Sequence, residues 1–168
     1  IQEENELSAL SEVTGNSRVK VLGIVVTKID RIMHGIELGA TGMHNSIRQW
    51  ANQEFLPRII QLLKTNNFAL FITSDHGNIE AEGLGYPSEG AIAEVRGERV
   101  RIYPNPTLRS RVKERFPNAI EWPSVGLPDT IVPLIAPGRF AFIKANRKTI
   151  SHGGISVEEL VVPLVRIR

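Results

Sequence analysis

Three short strings in this sequence carry the residue types that bind divalent cations. Asp30 and His34 are spaced i, i+4, which sets a carboxylate and an imidazole on one face of a single helical turn. Asp75-His76-Gly77 joins a carboxylate to an imidazole, followed by a glycine that permits the turn needed to splay the two side chains apart. His152 stands in Ser151-His152-Gly153-Gly154, where the glycines allow a backbone shape that other residues resist. Imidazole and carboxylate without thiolate suit Zn²⁺ or Mn²⁺. The 168 residues include no cysteine, which excludes thiolate sites, cysteine nucleophiles, disulfides and CxxC redox chemistry. Each string has an ordinary reading by itself: a core histidine beside a carboxylate, a helix cap, a plain turn. Their order and their place at strand ends point to one constellation. His44, at the expected start of a helix, is read as an ordinary residue.

The elements that would position these groups are legible as hydrophobic patterns. Residues 19–26 form a nearly continuous β-branched run, the pattern of a strand buried on both faces of a parallel sheet. Ile47, Trp50, Leu56, Ile59, Ile60 and Leu63 recur at helical spacing, which predicts a helix over 44–64 with a kink or break at Pro57. Residues 68–73 predict a second buried strand that runs straight into Ser74-Asp75-His76-Gly77. Strand, helix, strand is a βαβ unit with parallel strands, and both polar clusters then lie at carboxyl ends, where open α/β sheets bind ligands. Residues 80–97 are glycine-rich and read as a long surface loop. Beyond it, 99–103 alternates like a half-exposed strand, 107–116 reads as a helix stopped by Pro117, and 140–144 and 161–168 read as strands. Ser156 followed by Glu159 is a capping box.

The net charge of +2 averages two unlike halves. Residues 1–95 carry 7 basic and 12 acidic side chains (net −5), and 96–168 carry 13 and 6 (net +7). Arg96, Arg99 and Arg101 are candidates to grip phosphate, because a guanidinium fork donates two parallel hydrogen bonds to it. The cluster at 109–115 is read as a solvated helix face. No apolar run approaches the roughly 18–20 residues of a membrane span, and the start of the chain lacks a signal-peptide pattern, so the expected setting is cytoplasmic without a membrane. The length is one domain's worth, at roughly 100–200 residues per domain. The absence of an initial Met suggests a piece of a longer protein.

Thr73-Ser74-Asp75-His76-Gly77-Asn78, after an apolar strand, resembles the metal-binding motif of the alkaline phosphatase superfamily, in the TxDHGN form of cofactor-independent phosphoglycerate mutases. Asp30-xxx-His34 resembles that superfamily's DxxxH, and His152 its late metal-binding histidine. The sequence is most similar to PglZ domains, in which Asp75-His76-Gly77, a segment like Gly97-Glu98-Arg99-Val100 and a tail like the one from Ser151 to Pro163 occur together. The resemblance implies an α/β, alkaline-phosphatase-like fold with a mostly parallel sheet flanked by helices, of which this chain is the C-terminal half. Residues 1–18 would be a helical lead-in or linker and 19–168 the domain part.

It further implies two divalent metals, Zn²⁺ first and Mn²⁺ second. Asp30, His34 and His152 would hold one, and Asp75 and His76 would help hold the other. A Ser or Thr nucleophile would lie outside this sequence, leaving the chain inactive alone. The implied function is a metal-dependent phosphatase or phosphodiesterase in a phage-defence protein of the BREX or Pgl type. Its partners would be a phosphoester substrate, a nucleotide or nucleic acid among the candidates, and other defence-system or signalling subunits. The competing expectation is a non-catalytic module whose basic half binds nucleic-acid phosphates, with affinity that falls steeply in salt.

Overall fold

A computed structural model describes residues 5–34, 39–87 and 95–168, without the side chains of Asn5, His34, Val95 and Arg96. The chain forms two compact units, one from the residues up to Ser74 together with Pro163–Arg168, the other from Asp75–Val162.

The first unit contains helices α1 (Asn5–Gly15), α2 (Lys28–His34), α3 (Gly39–Ala51) and α4 (Phe55–Thr65), with strands β1 (Leu70–Thr73) and β9 (Leu164–Ile167). Leu7 and Leu10 lie on one side of α1, Ile59 and Leu63 on one side of α4, and both pairs close with Leu70 into a single core. Helix formation over 44–64 divides differently from the expectation. Helix α3 ends at Ala51, the chain turns through residues 52–54, and Pro57 falls in the first turn of α4. A first-turn residue has no intrahelical partner for its N–H, so proline costs nothing there, whereas mid-helix it would. Asn66 caps α4, and Asn67 at φ 60° turns the chain toward β1.

Residues 19–26, expected as a buried strand, form no strand and join no sheet ladder among the described residues. Leu22 and Ile24 pack against the core, while Val21 and Val25 are 90% and 74% exposed. The run is therefore apolar on both faces and buried on one. Strand β1 pairs antiparallel with β9, from Leu70 opposite Ile167 to Thr73 opposite Leu164, and so the expected βαβ unit does not form.

The second unit holds β2 (Ile79–Gly83), β3 (Val95–Arg96), β4 (Val100–Tyr103), α5 (Pro106–Lys113), β5 (Ile120–Glu121), β6 (Val132–Ile135), β7 (Phe140–Ala141), β8 (Lys148–Ser151) and α6 (Val157–Leu160). The strands make two sheets, in the orders β7-β2-β8 and β3-β4-β6-β5. Only the β2–β7 pairing is parallel among the described residues, so the mostly parallel sheet expected from the apolar runs is not what these residues form. Short strands that alternate burial, as β4 does, are the antiparallel pattern, whereas parallel strands need covered faces and long crossovers. The start of the expected 80–97 loop is strand β2, and the expected 140–144 strand shrinks to β7.

Tyr103, Leu134 and Phe142 are fully buried at the centre of this unit, with Phe116 edge-on to Phe142 at 5.6 Å. Helix α5 starts on Asn105, whose side chain accepts from the Leu108 N–H at 3.0 Å, with Pro106 in its first turn. Truncating Leu134 to alanine is expected to cost about 2–5 kcal/mol. The equivalent change at Val21 should stay within about 0.5 kcal/mol. Urea unfolding of the two variants measures the contrast.

Candidate metal centre

The register of β2 and β8 brings two of the motif strings together. Ile79 lies opposite Ser151, so the residues just before β2 and just after β8 leave the same end of the ladder. His76 is on the first of these segments and His152 on the second. Their rings stack with centroids 3.9 Å apart and planes 14° from parallel. A ring nitrogen of each lies within 4.8 Å of one on the other.

His76 is fixed from two sides. Its Nδ1 is 3.0 Å from the carbonyl oxygen of Gly77, a hydrogen bond that selects the Nδ1–H tautomer and leaves Nε2 with its lone pair. Its backbone N–H donates to Asp75 Oδ1 at 3.1 Å, which holds that carboxylate 3.8 Å from His76 Nε2. The Asp75 side chain is otherwise open to solvent. Two imidazoles, one with its tautomer set by a backbone carbonyl, are donors of the kind a borderline divalent cation takes.

Asp30 is an exposed residue in the first turn of α2, and the helix carries it and His34 at the spacing that shares one face. These two belong to the first unit, and the His34 side chain lies outside the described residues.

The arginine candidates are placed differently from one another. Arg99 is 1% exposed, and its fork faces inward: Nε and Nη2 each donate to Glu159 at 2.9 Å, and Nη1 donates to the carbonyls of Ala136 and Phe140. Arg101 is 5% exposed, donates to the Phe142 carbonyl at 3.2 Å and lies over the Phe142 ring. As they stand, these two guanidiniums serve the chain's own acceptors and present no fork to an incoming phosphate. The side chain of Arg96 lies outside the described residues. Elsewhere in the basic half, Arg109 pairs with Glu121, Arg139 with Glu158, and Lys148 with Glu80, so the positive charge is partly matched within the chain.

In the sequence Glu159 stands only as the third helical position after Ser156, the carboxylate of the capping box. In the structure it is 2% exposed and accepts from Arg99, from the Gly154 N–H at 2.8 Å and from the Ser156 N–H at 3.1 Å. Burial alone pushes its carboxyl up, but the Arg99 guanidinium and the two N–H donors outweigh it and hold the carboxyl at about 2, below its ordinary 4.5. The stabilisation is complete above 4.5 and is lost as the pH falls from 4.5 toward 2, because the unfolded chain takes up the proton first. Its size is on the order of 3 kcal/mol. Unfolding midpoints measured down this pH range should fall for the wild type and fall less steeply for Glu159→Gln.

The histidine pair and the DHGN string around His76 are the features on which the resemblance to alkaline-phosphatase-like domains rests, and the chain is of that class. Within that class the chain belongs to the PglZ family: residues 4–167, nearly its whole length, match the BREX system PglZ alkaline phosphatase-like domain. No curated protein and no solved structure matches it. Among the described residues no helix is long and apolar enough to cross a membrane.

Proposed function

We propose that this chain supplies metal-holding residues of a metal-dependent phosphatase or phosphodiesterase domain that works in phage defence. The observation that carries the reading is the stack of His76 on His152, two motif histidines 76 residues apart in sequence whose rings lie 3.9 Å from each other. In this reading Asp30, His34 and His152 hold one cation, and Asp75 and His76 help to hold a second, Zn²⁺ or Mn²⁺ in each case. When bound, such cations activate a hydroxyl or water and stabilise the attacking and leaving oxygens of displacement at phosphorus. The chain's own contribution is orientation. The Gly77 carbonyl sets the tautomer of His76, the Asp75 carboxylate accepts from the His76 backbone N–H, and the His76 ring stacks on that of His152. None of the chain's hydroxyls is assigned the nucleophile's part.

The substrate is a phosphoester, with nucleotides and nucleic acids as the first to be tried, and other subunits of the defence system are the expected partners, in the cytoplasm. Family membership supports the class of chemistry and the defence setting. Elemental analysis tests the ligand assignment. Wild-type protein should retain Zn²⁺ or Mn²⁺ after dialysis, and His34→Ala and His152→Ala should each lose it. Equal metal content in all three proteins would contradict the assignment.

A further inference from the structure

Neither histidine lies within a sheet ladder. His76 precedes β2 and His152 follows β8, so strand pairing brings their segments close without fixing the rings. Glu159 touches both segments. Its main-chain carbonyl accepts from the Gly77 N–H at 2.9 Å, one residue past His76. Its side chain accepts from the N–H groups of Gly154 and Ser156, two and four residues past His152. Arg99 closes the remaining side of the carboxylate and is itself tied to the Ala136 and Phe140 carbonyls.

The glycines agree with this arrangement. A Cβ at Gly77 would sit 1.9 Å from the Glu158 carbonyl oxygen, and a Cβ at Gly154 would sit 2.5 Å from Arg99 Nη2 and 2.6 Å from Glu159 Oε2. Gly153 turns the chain at φ 96°, between His152 and the first tie. The backbone thus approaches the main chain of α6 at the first histidine segment and the buried pair at the second, and only residues without a side chain permit it.

We propose that Glu159, held by Arg99, is a positioning residue that fixes His152 against His76. The pair acts through the backbone on both histidine segments, and neither member touches substrate. The metal-affinity part of this inference rests on the function proposed above, whereas the placement of the rings does not.

The test compares the wild type with the double variant Arg99→Met/Glu159→Leu. Replacing both members of a buried ion pair by apolar residues commonly preserves stability, so this variant separates folding from positioning. Two quantities are read: the His76–His152 proton contacts by NMR in metal-free protein, and Zn²⁺ affinity by calorimetry. A folded double variant is expected to lose the ring contacts and to bind Zn²⁺ roughly 10–100-fold more weakly, the usual effect of removing a residue that orients a ligand. A folded double variant that keeps the ring contacts overturns the proposal, whatever its affinity. If the wild type binds no Zn²⁺ but the double variant loses the contacts, the positioning stands and the metal reading falls. Should the double variant not fold, Ser156→Pro removes one of the two N–H ties and leaves the ion pair, and the φ of −72° at this position suits proline. Weakened ring contacts are expected there too, and unchanged contacts overturn the proposal.

Discussion

Arg99→Ala is expected to destabilise the protein by about 3–5 kcal/mol, the cost of leaving one member of a buried ion pair without its partner. The number is large because Glu159 has nowhere to go. Its carboxylate is 2% exposed, two backbone N–H groups hold it in place, and water cannot replace the guanidinium without opening the loop at 153–156. The loss also strips the Ala136 and Phe140 carbonyls of a donor, and at Ala136, where the bond is buried, this adds to the penalty. A domain of this size has about 5–15 kcal/mol in total, so the variant should be visibly close to unfolding. Arg99→Lys should recover only part of the loss, because a single ammonium cannot make the two parallel bonds of the fork. Guanidinium unfolding followed by circular dichroism measures both. A change below about 1 kcal/mol for Arg99→Ala would mean that the pair is not buried as described.

Gly77→Ala is the second large effect. The added methyl would lie 1.9 Å from the carbonyl oxygen of Glu158, which is backbone and has no rotamer to retreat into. Either the β2 segment or α6 must move, and either movement breaks the bond from the Gly77 N–H to the Glu159 carbonyl. Overpacking contributes about 1–3 kcal/mol and the lost hydrogen bond about 1 kcal/mol more. Gly23→Ala is the matched control. A Cβ there meets nothing within 4 Å and the backbone needs no positive φ, so that variant should be neutral or slightly more stable. Thermal unfolding of the two alanine variants compares them directly.

Much of the site was legible in the sequence because its ligand types sit in short local strings. Asp75-His76-Gly77 and Ser151-His152-Gly153-Gly154 each name a turn and a donor, and their family resemblance is borne out along nearly the whole chain. The capping-box spacing and α5 were also readable, since caps and helical periods depend on neighbours within a few residues. What could not be read was the partner of each strand. Nothing in residues 68–73 says that β1 will pair antiparallel with the chain's last strand. The run at 19–26 carries the pattern of a buried strand, yet only one of its faces is covered among the described residues.

The arginines show the same limit more sharply. Alternation over Arg99-Val100-Arg101-Ile102-Tyr103 suggests charges outward and apolar residues inward. The structure turns both arginines in with Tyr103, because the acceptor for Arg99 lies 60 residues away at Glu159. A carboxylate at the third position of a four-residue helix looks like a local cap. Its second role, linking two histidine segments, exists only once β2, β4, β8 and α6 have come together.

The most direct measurement is a Zn²⁺ titration of metal-free protein, followed through the imidazole nitrogen resonances of its four histidines. Stoichiometric shifts are expected at His34, His76 and His152, with His44, exposed on α3, unchanged as the internal control. If His76 and His152 keep their metal-free resonances at saturating Zn²⁺, the stacked pair is not a metal centre and the proposed function loses the observation it rests on.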